Sequence, residues 1–347
     1  MRLSQEQIEL RDLVRGFLQD NVPSEYLRSR INTGVRHDPA FTATLDQLGL
    51  LEAFSQEQST LTFLDLSLVA SEVGRFLVPE PLIERLFVDA ALRGLVPENE
   101  RSVVGTQGAV SGVVPASCGR SVVVSEAGQL SGEVSWAYGV EGASRLLAFV
   151  ERAGELAACI VELNQPGVAL QPTTALDLTA TLTAITFTNA NALFFSAETS
   201  KLLQDCFEVL KACEVSGITR RVIEMTVEYV KTREQFGVPV GSFQAIQHKL
   251  ADAFAQSESL EALSRFAAWS VVSSPDQRPL TARSAIAQAC DVGPAVCEAC
   301  LQAHGGIGFT WEYDLHLFLR RAKATQSAFM MTEERSRDLI ERATASS

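Results

Sequence analysis

Apolar positions near the start of the chain recur at helical spacing. Ile8, Leu10, Leu13, Val14, Phe17 and Leu18 are interspersed with charged residues, and from Leu10 on they fall three or four apart, the pattern of a helix with one buried face. Ser4 with Gln7 three residues on forms a capping box, and Asn21-Val22-Pro23 closes the helix because proline cannot continue it. A second helical stretch is predicted from Pro39 to Phe54, with Leu45, Leu48, Leu50 and Leu51 as its apolar side, and a third from Leu64 to Phe76. Pro79, Pro81 and Pro97 bracket one more short helix, LIERLFVDAAL.

The pattern changes near Arg101. From there to Ala197 the chain is rich in Val, Thr, Ser and Gly, and short apolar runs such as SVVVS, RLLAFVE and LAACIVEL alternate with turn residues. LTATLTAITF alternates with period two. This predicts a β domain of short antiparallel strands. From Thr199 the spacing is helical again. One long helix is predicted to end at Gly237, a second to open at Ser242, a third to cover TARSAIAQACDVGPAVCEACLQAHGG after the linker SSPDQRP, and a last to run through RRAKATQSAFMMTEERSRDLIERA. The expected organisation is therefore α+β and multi-domain: an N-terminal helical domain over 1–100, a middle antiparallel β domain over 101–198 and a C-terminal helical bundle over 199–347.

Composition narrows the class. At 347 residues and 46% hydrophobic, the chain has ample material for buried cores and is not disordered. A formal charge of −13 excludes a phosphate-tracking nucleic-acid binder and a protein drawn to anionic membrane surfaces. No run approaches the ~18 apolar residues of a membrane span, and the charged N-terminus argues against a secretory signal. Seven cysteines are too sparse for a disulfide scaffold and fit reduced thiols in a cytoplasmic protein. Cys297, Cys300 and His304 have a spacing that invites a metal, but they lie on an apolar helix where free cysteines are ordinarily buried, so no metal is expected.

Two stretches carry chemistry. YVKTREQFGVPVGSFQAIQHKLAD, from Tyr229 to Asp252, and QAHGGIGFTWEY, from Gln302 to Tyr313 and followed by Arg320 and Arg321, resemble the Arg-x-Gln-Phe-Gly and Gln-x-x-Gly-Gly-x-Gly-Phe segments of the acyl-CoA dehydrogenase family. The resemblance covers nearly the whole chain and is weakest in the β region. It implies an α-helical domain, a barrel-like β middle and a C-terminal four-helix bundle. It also implies oxidation of the Cα–Cβ bond of an acyl-CoA thioester with FAD, a carboxylate removing the α-proton and the β-hydride passing to the flavin. An α-proton of a thioester is weakly acidic, so such chemistry needs a base in a dry site and donors on the carbonyl oxygen.

The resemblance implies roles for particular residues. Arg233 would grip the FAD diphosphate of a neighbouring subunit, as a guanidinium can do bidentately, with Gln235 and Phe236 near the adenine. Gln302, Gly305, Gly306 and Gly308 would approach the adenosine diphosphate half across a dimer interface. Phe243 and Gln247 either join them or only pack the bundle.

The departures from the family pattern matter as much. One family position for the catalytic glutamate, counted from Gly305 and Gly306, is here Phe329, within TQSAFMM; the other, ten residues before Gly217, is Phe207. Glu208 is adjacent to the second, but one residue turns a helical side chain by about 100°, so it is a candidate base only under a shifted register. The Thr-Glu-Pro-x-x-Gly-Ser-Asp stretch that contacts flavin and substrate is missing. So is the Trp-Ile-Thr segment that packs on the flavin ring, with Val134, Ser135, Trp136 and Ala137 in its place. The diphosphate side is kept and the ring side eroded. That asymmetry resembles the subunit lacking the base in α2β2 acyl-CoA dehydrogenases of actinobacterial steroid side-chain degradation. The expected partners are an acyl-CoA substrate, a second acyl-CoA dehydrogenase subunit and an electron-transfer flavoprotein or similar acceptor. The alternatives are a self-sufficient homo-oligomeric dehydrogenase, a non-catalytic scaffold of the same fold, or another flavin oxidase chemistry on it.

Overall fold

The computed structural model describes residues 2–34, 38–55, 61–104, 111–329 and 344. In chain order the helices are α1 (Gln5–Asn21), α2 (Ser24–Thr33), α3 (Pro39–Gln47), α4 (Leu50–Ser55), α5 (Phe63–Phe76), α6 (Leu82–Arg85), α7 (Leu92–Leu95), α8 (Arg101–Val104) and α9 (Ala116–Gly119). After strands β1 (Ser111–Val114) to β8 (Leu193–Phe194) come α10 (Ala197–Thr232), the short strands β9 (Glu234–Gln235) and β10 (Val238–Pro239), α11 (Gln244–Ser273), α12 (Arg278–His304) and α13 (Leu315–Phe329). The architecture is helical, then β, then helical, as the periodicities require. No helix among the described residues is long and apolar enough to cross a membrane.

Several boundaries differ from expectation. The capping box at Ser4 and Gln7 forms as read. The stretch from Pro39 to Phe54 breaks in two at Gly49, which adopts φ +72°. Between α6 and α7 the chain widens into a π-helix over Leu86–Ala91. The long helix α10 stops at Thr232 rather than Gly237, because Glu234 and Gln235 pair with Pro239 and Val238 as a hairpin. A 3-10 turn over Val240–Ser242 then precedes α11, which opens at Gln244 rather than Ser242. The last helix is described to Phe329, and the remainder of its predicted span falls outside the described residues, apart from Thr344.

The chain divides into two compact units. The first comprises Met1–Arg28, Ser67–Val78 and Glu208–Ser347; the second comprises Ser29–Leu66 and Pro79–Phe207. The first is built on α10–α13, with α1 and most of α5 added. Val14, Leu18, Leu210, Val222, Leu260, Ile286 and Phe318 supply its core. Gly74 and Gly217 set how close α5 and α10 come. A Cβ on Gly74 would lie 1.9 Å from the Glu214 carbonyl oxygen, and one on Gly217 would lie 1.8 Å from that of Ser71. Only glycine permits that backbone contact. Charges are buried in matched sets. Glu214 accepts from Lys211 at 2.8 Å and from Arg321 at 2.7 Å, and the two cations hold its carboxyl below the usual range against the opposing effect of burial.

The second unit holds the sheet, in the order β6 (Val168–Thr173), β7 (Leu182–Asn191), β3 (Gln129–Tyr138), β1, β4 (Arg145–Arg152), β5 (Glu155–Glu162), β8, with β2 (Val123–Val124) also on β3. β4 and β5 are nearly continuous buried runs, so the centre of the sheet is covered on both faces. The sheet is mixed rather than wholly antiparallel. β1 runs parallel to β4, pairing Ser111 with Arg145 and Val114 with Ala148. A hairpin cannot make a parallel pair, and residues 115–144 between the two strands supply the crossover. Val134 and Ala137 face the core, and Trp136 packs against it.

Candidate functional site

Both motif stretches lie in the first unit, and both are turns at helix ends. At the end of α10, Phe236 (φ +56°) and Gly237 (φ +80°) form a two-residue hairpin loop. Positive φ at both central positions is the type I′ geometry that matches the twist of paired strands. The hairpin is closed by the Val240 N–H donating to the Arg233 carbonyl at 2.7 Å. Phe236 is 94% exposed at its tip, in a conformation that phenylalanine seldom adopts. The Arg233 side chain is exposed and makes no ion pair or side-chain hydrogen bond among the described residues. Gln235 donates to the Glu234 carbonyl. Phe243 meets Phe236 edge to face at 6.3 Å, and Gln247 donates to the Gly241 carbonyl.

At the end of α12, Gly305 turns the chain with φ +67°, and a 3-10 turn runs to Phe309. Added Cβ atoms on Gly305 and Gly306 would meet nothing within 4 Å, so their backbone is open to an incoming group. Gly308 differs: a Cβ there would come within 3.1 Å of His304 and Leu301, so this glycine serves packing.

The fold joins these turns. Tyr229, one helical turn before Arg233, stacks face to face on His304 with centroids 4.3 Å apart and planes 17° apart. Tyr313 closes on both rings, at 6.0 Å from Tyr229 and 5.1 Å from His304. The Tyr229 hydroxyl donates to the His304 carbonyl at 3.4 Å. His304 Nδ1 donates to the Cys300 carbonyl at 2.9 Å, which fixes the neutral tautomer with a bare Nε2, and burial holds its pKa below the ordinary value. Lys249, from the first stretch, donates to the Gln302 side chain in the second. Tyr229, Tyr313, Phe254, Arg221 and Glu228 line an open hollow of about 830 Å³. Phe309 (65% exposed) and Trp311 (59%) stand on the same turn region. The sequence points to Arg233, Gln302 and the glycines as candidates but not to this aromatic clasp, although Tyr229 opens the first motif stretch and His304 stands near the start of the second.

The positions expected of a base are filled by rings. Phe207 is buried between Phe87 and Phe149, at 5.9 and 6.4 Å in near-parallel stacks, with Tyr138 edge-on at 6.2 Å. Phe329 is buried at the end of α13. Glu208 is 1% exposed and accepts from Arg283 Nη1 at 2.7 Å. Its carboxylate is thus held by a buried guanidinium, the environment of a structural ion pair. The seven cysteines are buried and free, and burial pushes Cys300 up to about 11, far from thiolate reactivity.

Comparison with known proteins identifies the family. Residues 209–344 match the family model for the acyl-CoA dehydrogenase C-terminal domain. Acyl-CoA dehydrogenase IpdE2 of Mycobacterium tuberculosis is 30% identical over 74% of this chain and 71% of its own length, and its namesake in Mycolicibacterium smegmatis is 27% identical over 97% and 98%. Acyl-CoA dehydrogenase FadE34 of Mycobacterium tuberculosis is 31% identical over 74% of this chain, which spans only 35% of that protein. Among solved structures, a variant of the Tcur3481-Tcur3483 steroid ACAD superposes with a TM-score of 0.86 at 22% identity, over 99% of this chain and 98% of that one. The ChsE4-ChsE5 complex from Mycobacterium tuberculosis gives 0.83 at 21%, over 100% and 99%. The chain belongs to the acyl-CoA dehydrogenase family.

Proposed function

We propose that this chain is the subunit that completes the FAD site of a base-carrying partner in a heteromeric acyl-CoA dehydrogenase. The family is FAD-dependent. The residues present fit the diphosphate half of that cofactor: an exposed guanidinium at Arg233 without a partner among the described residues, and two glycines whose backbone is open. When bound, FAD supplies a hydride acceptor for α,β-dehydrogenation of a CoA thioester. This chain's contribution is positional. Arg233 offers charge-assisted donors, Gly305 and Gly306 admit close approach, and Gln302, Gln235 and Phe236 flank them. The Tyr229–His304 stack holds the two turns in register.

The observation that carries the partner reading is the contrast between this open anion-facing surface and the aromatic packing of Phe207. A self-sufficient enzyme would need a free carboxylate, and Glu208 is engaged by Arg283. The names of the two solved complexes support a second acyl-CoA dehydrogenase subunit as partner, and that of the first supports a steroid-derived acyl group. The electron acceptor in this reading is an electron-transfer flavoprotein or similar carrier. Buried, free thiols suit a cytoplasmic setting. The test is co-purification with a base-containing subunit: FAD bound only in the 1:1 complex is the expected result. Full flavin occupancy and strong dehydrogenation by this chain alone would overturn it.

A further inference from the structure

Away from the glycine turn, the first unit contains a second hollow. A cavity of about 230 Å³ lies between α1, α5, α10 and α11, and its lining is polar. Four arginines and two glutamates line it, with Asp12 paired to Arg11 and with Glu224 and Glu258 within 3.9 Å of Arg220 beyond the lining. We infer that this cavity binds a small oxyanion of phosphate size.

The donor inventory favours an anion over a cation. Arg15 spends Nε and Nη2 on Glu72, at 3.0 and 2.6 Å, and keeps its Nη1 donors. Arg265 spends Nη2 on Glu261 and keeps Nε and Nη1. Arg220 gives Nη1 to the other Glu261 oxygen. Each carboxylate is thus already occupied by guanidinium, whereas each guanidinium has donors to spare, since it carries five N–H groups.

A second observation is independent of the arginines. Ser264 lines the cavity, is 1% exposed, and its hydroxyl has no hydrogen-bond partner among the described residues. A buried hydroxyl left unsatisfied costs about 1–3 kcal/mol, and a bound oxyanion accepting from it removes that cost. Size selects the ligand. The volume lies below the ~300–1,000 Å³ of pockets that take drug-sized molecules, so a single oxyanion fits and a nucleotide does not. An anion held there would tie α1 and α5 to the bundle.

The test uses the full chain and inorganic phosphate as probe, with chloride at matched ionic strength as control. Calorimetric titration is expected to show one saturable site. Thermal unfolding is expected to shift upward by a few degrees once phosphate exceeds its Kd about 100-fold. Arg265→Gln, at a position one quarter exposed, is expected to weaken binding at least tenfold. If that variant does not fold, Ser264→Val replaces it, filling the site without removing a satisfied hydrogen bond, with the same loss expected. No saturable phosphate response in the parent chain, or full-strength binding in the folded variant, overturns the inference.

Discussion

Tyr229 and His304 stack at 4.3 Å between ring centroids, and this contact joins the helix that leads into Arg233 to the turn that carries Gly305 and Gly306. Neither ring is needed for local helix formation. The pair is a tertiary clasp, and it fixes the spacing between a guanidinium and an open backbone turn. Replacing Tyr229 by Leu removes an aromatic pair of about 0.5–1.5 kcal/mol together with a hydroxyl contact. The chain is expected to stay folded with a modestly lower Tm, while FAD retention in the assembled complex, read by flavin fluorescence after gel filtration, falls several-fold.

Arg233→Ala separates binding from folding. The side chain is exposed and has no partner among the described residues, so stability should change by less than about 0.5 kcal/mol. Loss of charge-assisted hydrogen bonds of about 1.5–3 kcal/mol should weaken FAD binding by the complex about 10- to 100-fold. Equilibrium dialysis of FAD against the complex checks this, and unchanged affinity would favour a scaffold that binds no flavin.

Glu208 and Arg283 form a buried pair, and breaking one side should cost about 3–5 kcal/mol. Glu208→Gln is therefore expected to lower the denaturant midpoint clearly. Dehydrogenation per assembled complex should be unchanged, because in the proposed assembly the base belongs to the partner subunit. A large loss of turnover in complexes that assemble normally would restore the self-sufficient reading.

Phe207→Ala should open a cavity and cost about 3–5 kcal/mol. Phe207→Glu should be worse, since it places an unpaired carboxylate among Phe87, Phe149 and Tyr138. Unfolding midpoints of the two variants test the order. A stable Phe207→Glu chain with gained activity would show that the ring cluster is not a packed core.

Acid should weaken the fold through its buried histidines. Burial depresses the pKa of His304, and burial with help from Arg320 depresses that of His316. The unfolded chain therefore takes up protons first as pH falls. Their contribution is complete above the ordinary imidazole value of about 6.5 and is lost progressively below it. Denaturant unfolding at pH 7.5 and 5.5 should show the decline, with a shallower slope in His304→Gln.

The helical spacing of Ile8 to Leu18, the period-two run before Thr199 and the capping box at Ser4 made the order of elements legible, because local periodicity reflects which face is buried. Arg233, Gly305 and Gly306 could be singled out as candidates because the role proposed for them rests on residue type. A glycine pair leaves backbone open and a guanidinium grips anions, whatever their distant neighbours are. The hairpin at Phe236 was not legible, because its pairing competes with a helical pattern that continues past Thr232. Nor was the parallel β1–β4 pair, since strand direction depends on a crossover of distant residues.

By itself the sequence determined the helical, then β, then helical order of the chain, the family, and the absence of a glutamate at Phe207 and Phe329, because those depend on residue type and spacing; the helix α2 was not among the elements it predicted. Tertiary structure alone decided that Tyr229 clasps His304, that Glu208 is spent on Arg283, and that Phe207 is locked among rings. Those facts depend on which helices and strands meet, and contacts between residues far apart in the chain leave no periodic trace in it.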